Sequence, residues 1–322
     1  MLFRSPHELA EIDISPVTTQ AQAIARVEAG QADALDLIPG DGGIAARSRL
    51  QARYGPGSEA ARAGQQRYLS RPALEVDYLA LNAQRAPFST GAVRKAVNYA
   101  IDRRALAEQP PPFSFGQPTD QYIPPGMRGF RDAVIYPLGG PDVATARQLA
   151  GDRHRHAAMY TCNLPSCQHA AAVVRQDLKA IAIDVDIRAF PYDVLDRRLR
   201  RPGEPWDIAI IGWGADYNDP ADFLNPLFAP YRAARVPEES TSVNVGRFED
   251  PRLQPRLRAA SRLTGARRDR AYARLDADLA RAAAPVAAFA NDTRDYFFSA
   301  RMRCQTIQPL YGIDLAALCA RP

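Results

Sequence analysis

Apolar and polar positions change period along the chain, and those changes mark its elements. In residues 18–39 (TTQAQAIARVEAGQADALDLIP), Ala21, Ile24, Ala25 and Val27 recur at helical spacing. Thr18 or Thr19 can cap that helix and Gly30 can end it in a left-handed turn. A strand through Ala34, Leu35, Leu37 and Ile38 follows, and residues 40–67, rich in Gly, Ala and Arg, predict a loosely specified helix and loop. From Val76 the pattern sharpens: VDYLALN predicts a strand, and Ser89 or Thr90 caps a helix whose Val93, Val97, Ala100 and Ile101 share one face. Residues 109–141 carry QPPPF, IPPGMRGF and YPLGGP, and such repeated Pro and Gly forbid regular structure over most of that length. A loop this long tends to be functional or to wrap another part of the fold.

Beyond it, a helix restarts over 142–150 and a strand begins at 159–161. Residues 165–182 predict a helix with Val173, Val174, Leu178 and Ile181 inward, and IDVDIRAF (183–190) alternates strictly, the mark of a half-buried strand. Segments 251–264 and 267–284 are helical, the latter stopped by Pro285, and PVAAFA (285–290) predicts a strand before 294–322 closes the chain. Helices alternate with strands throughout, so the class is α/β, with no internal repeat.

The stretch Trp206–Phe228 (WDIAIIGWGADYNDPADFLNPLF) is organised differently. A short apolar run, DIAIIGW, predicts a strand buried on both faces, and it delivers Trp213, Asp216, Tyr217, Asn218 and Asp219 into a loop before Pro220. An indole, a phenol and convergent polar groups are what a small-molecule pocket needs. The plain alternative is a turn whose Asp and Asn satisfy its own backbone.

Composition narrows the function classes. At 322 residues the chain is long enough for two lobes, and no stretch approaches the ~20 unbroken apolar residues of a membrane span. The formal charge of +5 comes almost wholly from arginine, since Lys95 and Lys179 are the only lysines. The clusters at 197–201 (RRLRR) and 267–270 (RRDR) fall in helix-like segments without a nucleic-acid motif, so a solvated face is the better reading. The four cysteines form two local pairs, Cys162 with Cys167 and Cys304 with Cys319. An even count in close pairs points to disulfides and an oxidising compartment, with cytosolic thiols or a metal site as the alternatives.

His154 and His156, with His169 nearby, could join Cys162 and Cys167 around zinc, but no carboxylate motif completes the set, and surface histidines with no metal are the expectation. GxSxG, HExxH, GxxxxGK and GxGxxG are all missing from the sequence, so no enzyme class and no cofactor is expected. A hydrolase built on Asp216 and Asp219 is the weakest of the readings. The opening MLFRSPHELAEIDISP has no basic segment followed by an apolar core and does not read as a signal peptide.

Six stretches in order resemble the extracellular solute-binding proteins of family 5, the oligopeptide, dipeptide and nickel receptors of ABC importers. They are ARVEAGQADALDLIP (25–39), VDYLALNAQRAPFSTGAVRKAVNYAIDRRAL (76–106), PTDQYIPPGMRGF (118–130), YPLGGPDVATARQLA (136–150), LKAIAIDVDIRAF (178–190) and the Trp206–Phe228 stretch. The most specific block runs from Leu79 to Leu106, with N-x4-PF and VR-x-AV-x-YAIDR. The resemblance implies a periplasmic-binding-protein-like fold (type II) of two lobes that close on a ligand about a hinge. It implies residues 1–78 as a partial first lobe, 79–286 as a C-terminal α/β lobe and 287–322 as the return to the first lobe, with much of that lobe absent.

It also implies a non-catalytic, extracytoplasmic receptor, exported by a signal peptide that this chain lacks, with a peptide or other small solute as ligand and a membrane permease as partner. Asp216 in GWGADY would meet the ligand's α-amino group, beside Trp213, Tyr217 and Asn218. Asp102 in YAIDR is expected to pair locally with Arg94 or Arg103. A chain that starts in mid-protein is either a monomer or dependent on a partner, and an interaction or regulatory remnant of the same fold is the second reading.

Overall fold

The structure, a computed structural model, describes residues 9, 11–16, 19–37, 43–230 and 243–320. Thr18 and Ile38, expected as a cap and a strand end, lie outside them. The chain divides into two compact units, Met1–Ala73 with Thr293–Pro322, and Leu74–Asp292.

The first unit opens with α1 (Gln20–Glu28), capped by the Thr19 hydroxyl, which accepts from the Gln22 amide at 3.2 Å. Gly30 leaves the helix at φ +72°, where a side chain would be strained. Then come β1 (Ala34–Leu37), α2 (Gly43–Tyr54), α3 (Glu59–Arg62) and β2 (Tyr68–Pro72). Ile24 and Val27 of α1 pack with Leu37, Leu50, Tyr54, Tyr68 and Phe297 into one core.

The second unit carries β3 (Glu75–Leu81), α4 (Gly91–Ala100), α5 (Arg103–Ala107), β4 (Gly116–Pro118), α6 (Val143–Ala150), β5 (Arg155–Cys162), α7 (Pro165–Lys179), β6 (Ile183–Phe190), α8 (Tyr192–Arg200), β7 (Ile208–Gly214), α9 (Ala221–Leu227), α10 (Leu253–Ser261), α11 (Gly265–Asp278) and the first part of β8 (Val286–Phe298). Its sheet runs β8-β3-β7-β5-β6, with β4 also on β8. β3 is antiparallel to both β7 and β8, whereas β5 is parallel to β6 and β7. A central β3 explains its unbroken burial from Val76 to Leu81.

The strand expected at 285–290 is longer in the structure, thirteen residues to Phe298. The polar run NDTRD hides this, because β2 pairs with Thr293 to Phe297 on one side and β1 with Asp295 to Phe298 on the other. Asp295 is there the partner of the Arg47 guanidinium, which makes a carboxylate tolerable in a strand interior. The remaining short strands, β9 (Met302–Arg303), β10 (Ile307–Gln308), β11 (Gly312–Ile313) and β12 (Cys319–Ala320), pair as β9 with β12 and β10 with β11. Both cysteine pairs are bonded, Cys162 to Cys167 and Cys304 to Cys319. Among the described residues no helix is long and apolar enough to cross a membrane.

The YAIDR segment holds this unit together through arginine rather than aspartate. Arg103 is fully buried, and its guanidinium donates to Thr119 O (3.0 Å), Ala288 O (2.9 Å), Asn98 O (2.6 Å) and Asn98 Oδ1 (2.8 Å). Burial pulls its pKa down to about 10, which still leaves it charged at neutral pH. Arg94 reaches Phe88 O at 2.7 Å and Ala283 O at 3.0 Å, and the Asn98 amide donates to Val286 O at 3.2 Å. The expected pairing of Asp102 with Arg94 or Arg103 is therefore wrong: both guanidiniums are spent on carbonyls, and Asp102 instead caps α5 by accepting from the Ala105 amide at 3.0 Å.

The proline-rich loop is likewise pinned by side chains, as irregular backbone must be when buried. Asp276 of α11 accepts from the Tyr122 amide (3.0 Å) and from Gln121 Nε2 (3.1 Å), and the Tyr136 hydroxyl donates to Ala280 O at 2.7 Å.

Two stability measurements follow. Arg103→Met strands three carbonyl acceptors and the Asn98 side chain, and should lower unfolding free energy by about 3 kcal/mol in a urea titration. Burial pushes the Asp276 carboxyl from 3.8 up to about 7, so the folded chain holds a proton there that the unfolded chain has released. Stability should therefore fall as pH rises from about 4 to about 7, at most by about 1.4 kcal/mol per pH unit. In Asp276→Asn, unfolding midpoints across that range should lose this component of the slope.

Candidate ligand-binding site

The geometry of the Trp213 to Asp222 segment follows from where β7 stops. Ile208, Ala209 and Ile210 are buried, and burial then lapses into alternation through Ile211 to Gly214 as the strand runs out of the core. Trp213 sits half-buried at that end, paired with Val76 of β3, and its indole Nε1 donates to Asp222 O at 2.9 Å.

Two aspartates that follow build the base of the loop. Asp222, in the first turn of α9, is buried and accepts from the Asp216 amide at 2.6 Å. Burial raises its pKa, and the Asp216 amide partly offsets the rise. Asp219 grips Arg268 of α11 in a fork, Nε at 2.9 Å and Nη2 at 2.7 Å, while its Oδ1 also accepts from the Ala221 amide at 2.8 Å. Burial works to raise its pKa, but the Arg268 and Ala221 hydrogen bonds outweigh it and hold the carboxyl below its usual value. Arg268 in turn lies 4.9 Å over the Tyr272 ring and donates to Ser261 O at 2.8 Å.

On this base the remaining residues are displayed. Asp216, Tyr217 and Asn218 are exposed, Tyr217 by 51%. The structure thus leaves Trp213 on the end of β7 as a pinned indole and displays Asp216, Tyr217 and Asn218 as three outward side chains of the loop that follows.

Sequence reasoning missed Asp222 and Arg268. For Asp222 a signal existed, since a carboxylate in the first turn after Pro220 is a common helix-start pattern. Arg268 carried none, lying forty-nine positions from its partner.

Asp77 was missed as well, although a carboxylate inside the apolar run VDYLAL is itself a signal. It is buried opposite Gly212, and a Cβ on Gly212 would stand 2.8 Å from its Oδ1, so a side chain there would have to displace the Asp77 carboxyl. Burial pushes the Asp77 carboxyl well above its usual value, and neighbouring Asp292 and Glu75 push it further. Its Oδ2 makes no hydrogen bond with any described residue.

A hollow of about 720 Å³ lies elsewhere, in the first unit, lined by apolar residues such as Val27, Leu35, Met302 and Leu318 beside the Asp33–Arg301 ion pair. None of Trp213, Asp216, Tyr217 and Asn218 lines it.

Comparison with known proteins places this loop in a family. Residues 3–235 match the family described as bacterial extracellular solute-binding proteins, family 5 Middle. "Heme-binding protein A" of Haemophilus influenzae is 26% identical over 206 residues, covering 61% of this chain and 35% of that protein. "Probable di/tripeptide-binding protein 5" of Pseudomonas aeruginosa is 31% identical over 188 residues, covering 56% of this chain and 34% of that protein. The chain therefore spans about a third of the length of these curated relatives. Among solved structures, HbpA2 from Haemophilus parasuis superposes with a TM-score of 0.79 at 18% identity, over 98% of this chain and 59% of that one. The match covers well over half of the sequence in an α/β fold of the same kind, and the chain belongs to the bacterial extracellular solute-binding proteins of family 5.

Proposed function

We propose that this chain is the ligand-gripping portion of an extracytoplasmic receptor for an ABC importer, with short peptides as its solute. The observation that carries this reading is the division of labour in the loop after β7. Asp222, Asp219, Arg268 and the Trp213 indole fix the backbone, and Asp216, Tyr217 and Asn218 are left facing solvent. A loop that served only its own turn would use its polar side chains inward. Asp216 supplies the charge-assisted partner for a ligand ammonium, and Tyr217 supplies aromatic surface beside it. Peptides are favoured over other solutes by the relative at 31% identity, whose name gives di- and tripeptides. The two disulfides agree with a site of action outside the cytoplasm.

Binding rather than hydrolysis fits the carboxylates. Asp219, the second acid a hydrolase would need, is engaged by Arg268 on both oxygens and kept ionised, which suits an anchor and not a proton donor. The second reading, an interaction role, is favoured by the apolar hollow of the first unit. It predicts a self-associated or partner-bound species in light scattering, where the peptide reading does not need one.

The test is thermal unfolding of the full chain with and without a pool of di- to pentapeptides, repeated on Asp216→Ala. Ligand at a hundred times its dissociation constant should stabilise by about 2.7 kcal/mol, and the shift should vanish in the variant. A shift that survives Asp216→Ala would remove Asp216 from the site. A shift given by haem and not by peptides would replace the solute class.

A further inference from the structure

The strand pairing of the second unit creates a cluster that no reading of the loop uses. β5 and β6 are parallel and in register, with His156 directly opposite Asp184. Side chains two apart on a strand share a face, so His154, just before β5, projects on the same side as His156. The other face is occupied by the core: Ile183 and Val185 of β6, with Ala157 and Met159 of β5, are buried. Two imidazoles and a carboxylate are thereby forced together at the solvent side of the sheet, and their ligand atoms all lie within 4.8 Å of one another.

We propose that His154, His156 and Asp184 form a surface binding site for a divalent transition metal of the zinc, nickel or copper type. Zinc bonds to imidazole nitrogen and carboxylate oxygen are about 2.0–2.2 Å, so the edge of such a tetrahedron is about 3.3–3.6 Å. His154 Nε2 stands 3.3 Å from Asp184 Oδ2, already at that edge. His156 Nδ1 stands 3.9 Å from the same oxygen, a gap that a small turn of an exposed ring closes. The rings themselves pack edge to face at 5.3 Å between centroids, with 62° between their planes. Two nitrogens and one oxygen favour these metals over magnesium or calcium, and the open position takes water.

The neighbouring charges leave the site usable. Asp186, next along the same face of β6, is engaged by Arg188 Nε at 3.0 Å. The Arg155 guanidinium is turned back onto Arg153 O (2.6 Å) and Ala150 O (2.7 Å). The set differs from the one the sequence suggested. Cys162 and Cys167 are bonded to each other and cannot serve as thiolates, His169 is exposed on α7, and the carboxylate that completes the set comes from a different strand. The proposal departs from the expectation of surface histidines without metal.

The test is calorimetric titration of the full chain with zinc chloride near neutral pH, with nickel and copper salts in parallel. One equivalent of zinc should bind, and His156→Ala and Asp184→Asn should each weaken it at least about tenfold, since even outer partners of metal ligands are worth that much. His169→Ala should leave it unchanged. The substituted side chains are exposed or half-exposed, and matched melting curves would show the variants folded. Imidazole resonances of His154 and His156 should move with zinc while that of His169 stays. Zinc uptake unaffected by His156→Ala, or no saturation by about 1 mM metal, would overturn the proposal.

Discussion

A single buried guanidinium sets the frame on which the rest of the second unit depends. Arg103 satisfies carbonyls from three places: the end of α4, the proline-rich loop at Thr119, and Ala288 in β8, 185 positions away. A buried cation without acceptors would be too costly to fold around, so these segments have to converge where the guanidinium can reach them. Arg94 and Asn98 on α4 repeat the device, tying that helix to the chain just before β8 and to its start. The most recognisable block of the sequence is therefore architectural. It fixes β8 and through it β3, whose far side carries β7 and the displayed loop.

The same logic, polar groups spent inward so that others can face out, recurs at the loop. Asp222 and Asp219 are withdrawn from solvent to hold backbone amides and Arg268, and the indole of Trp213 is tied by its nitrogen. What remains exposed is small, and the proposed recognition would fall to Asp216, Tyr217 and Asn218 on a base already tied down. Asp77 beneath Gly212 belongs to the same neighbourhood, a carboxyl whose pKa is raised by burial and by the acids beside it.

Local signals in the sequence were read well where one period ran unbroken. The alternation of IDVDIRAF returned as β6 with the same bounds, 183–190, and the Thr19 cap and the irregularity of the proline-rich loop were legible locally; of the expected α7 face Val174 and Leu178 are buried, whereas Val173 is half-buried and Ile181 lies past the helix end. The misses have one physical cause, that charge in an element is legible only with its partner. β8 was cut short at NDTRD because Arg47, which makes Asp295 acceptable there, lies 248 positions away. Asp102 was assigned to an arginine because nothing local reveals that both arginines serve distant carbonyls. For the site, Trp213, Asp216, Tyr217 and Asn218 were legible as one stretch, whereas the Arg268 anchor and the meeting of Asp184 with the histidines are products of the fold alone.

The central claim is that the displayed residues of the loop, and no other surface of this chain, meet the solute. Hydrogen–deuterium exchange of the full chain, with and without a saturating di- or tripeptide, addresses it directly. Slowed exchange confined to the segment from Gly212 to Asp222 and the strand facing it is the predicted result. An unchanged loop, or protection that appears instead around the hollow lined by Val27, Leu35 and Met302, would contradict the account.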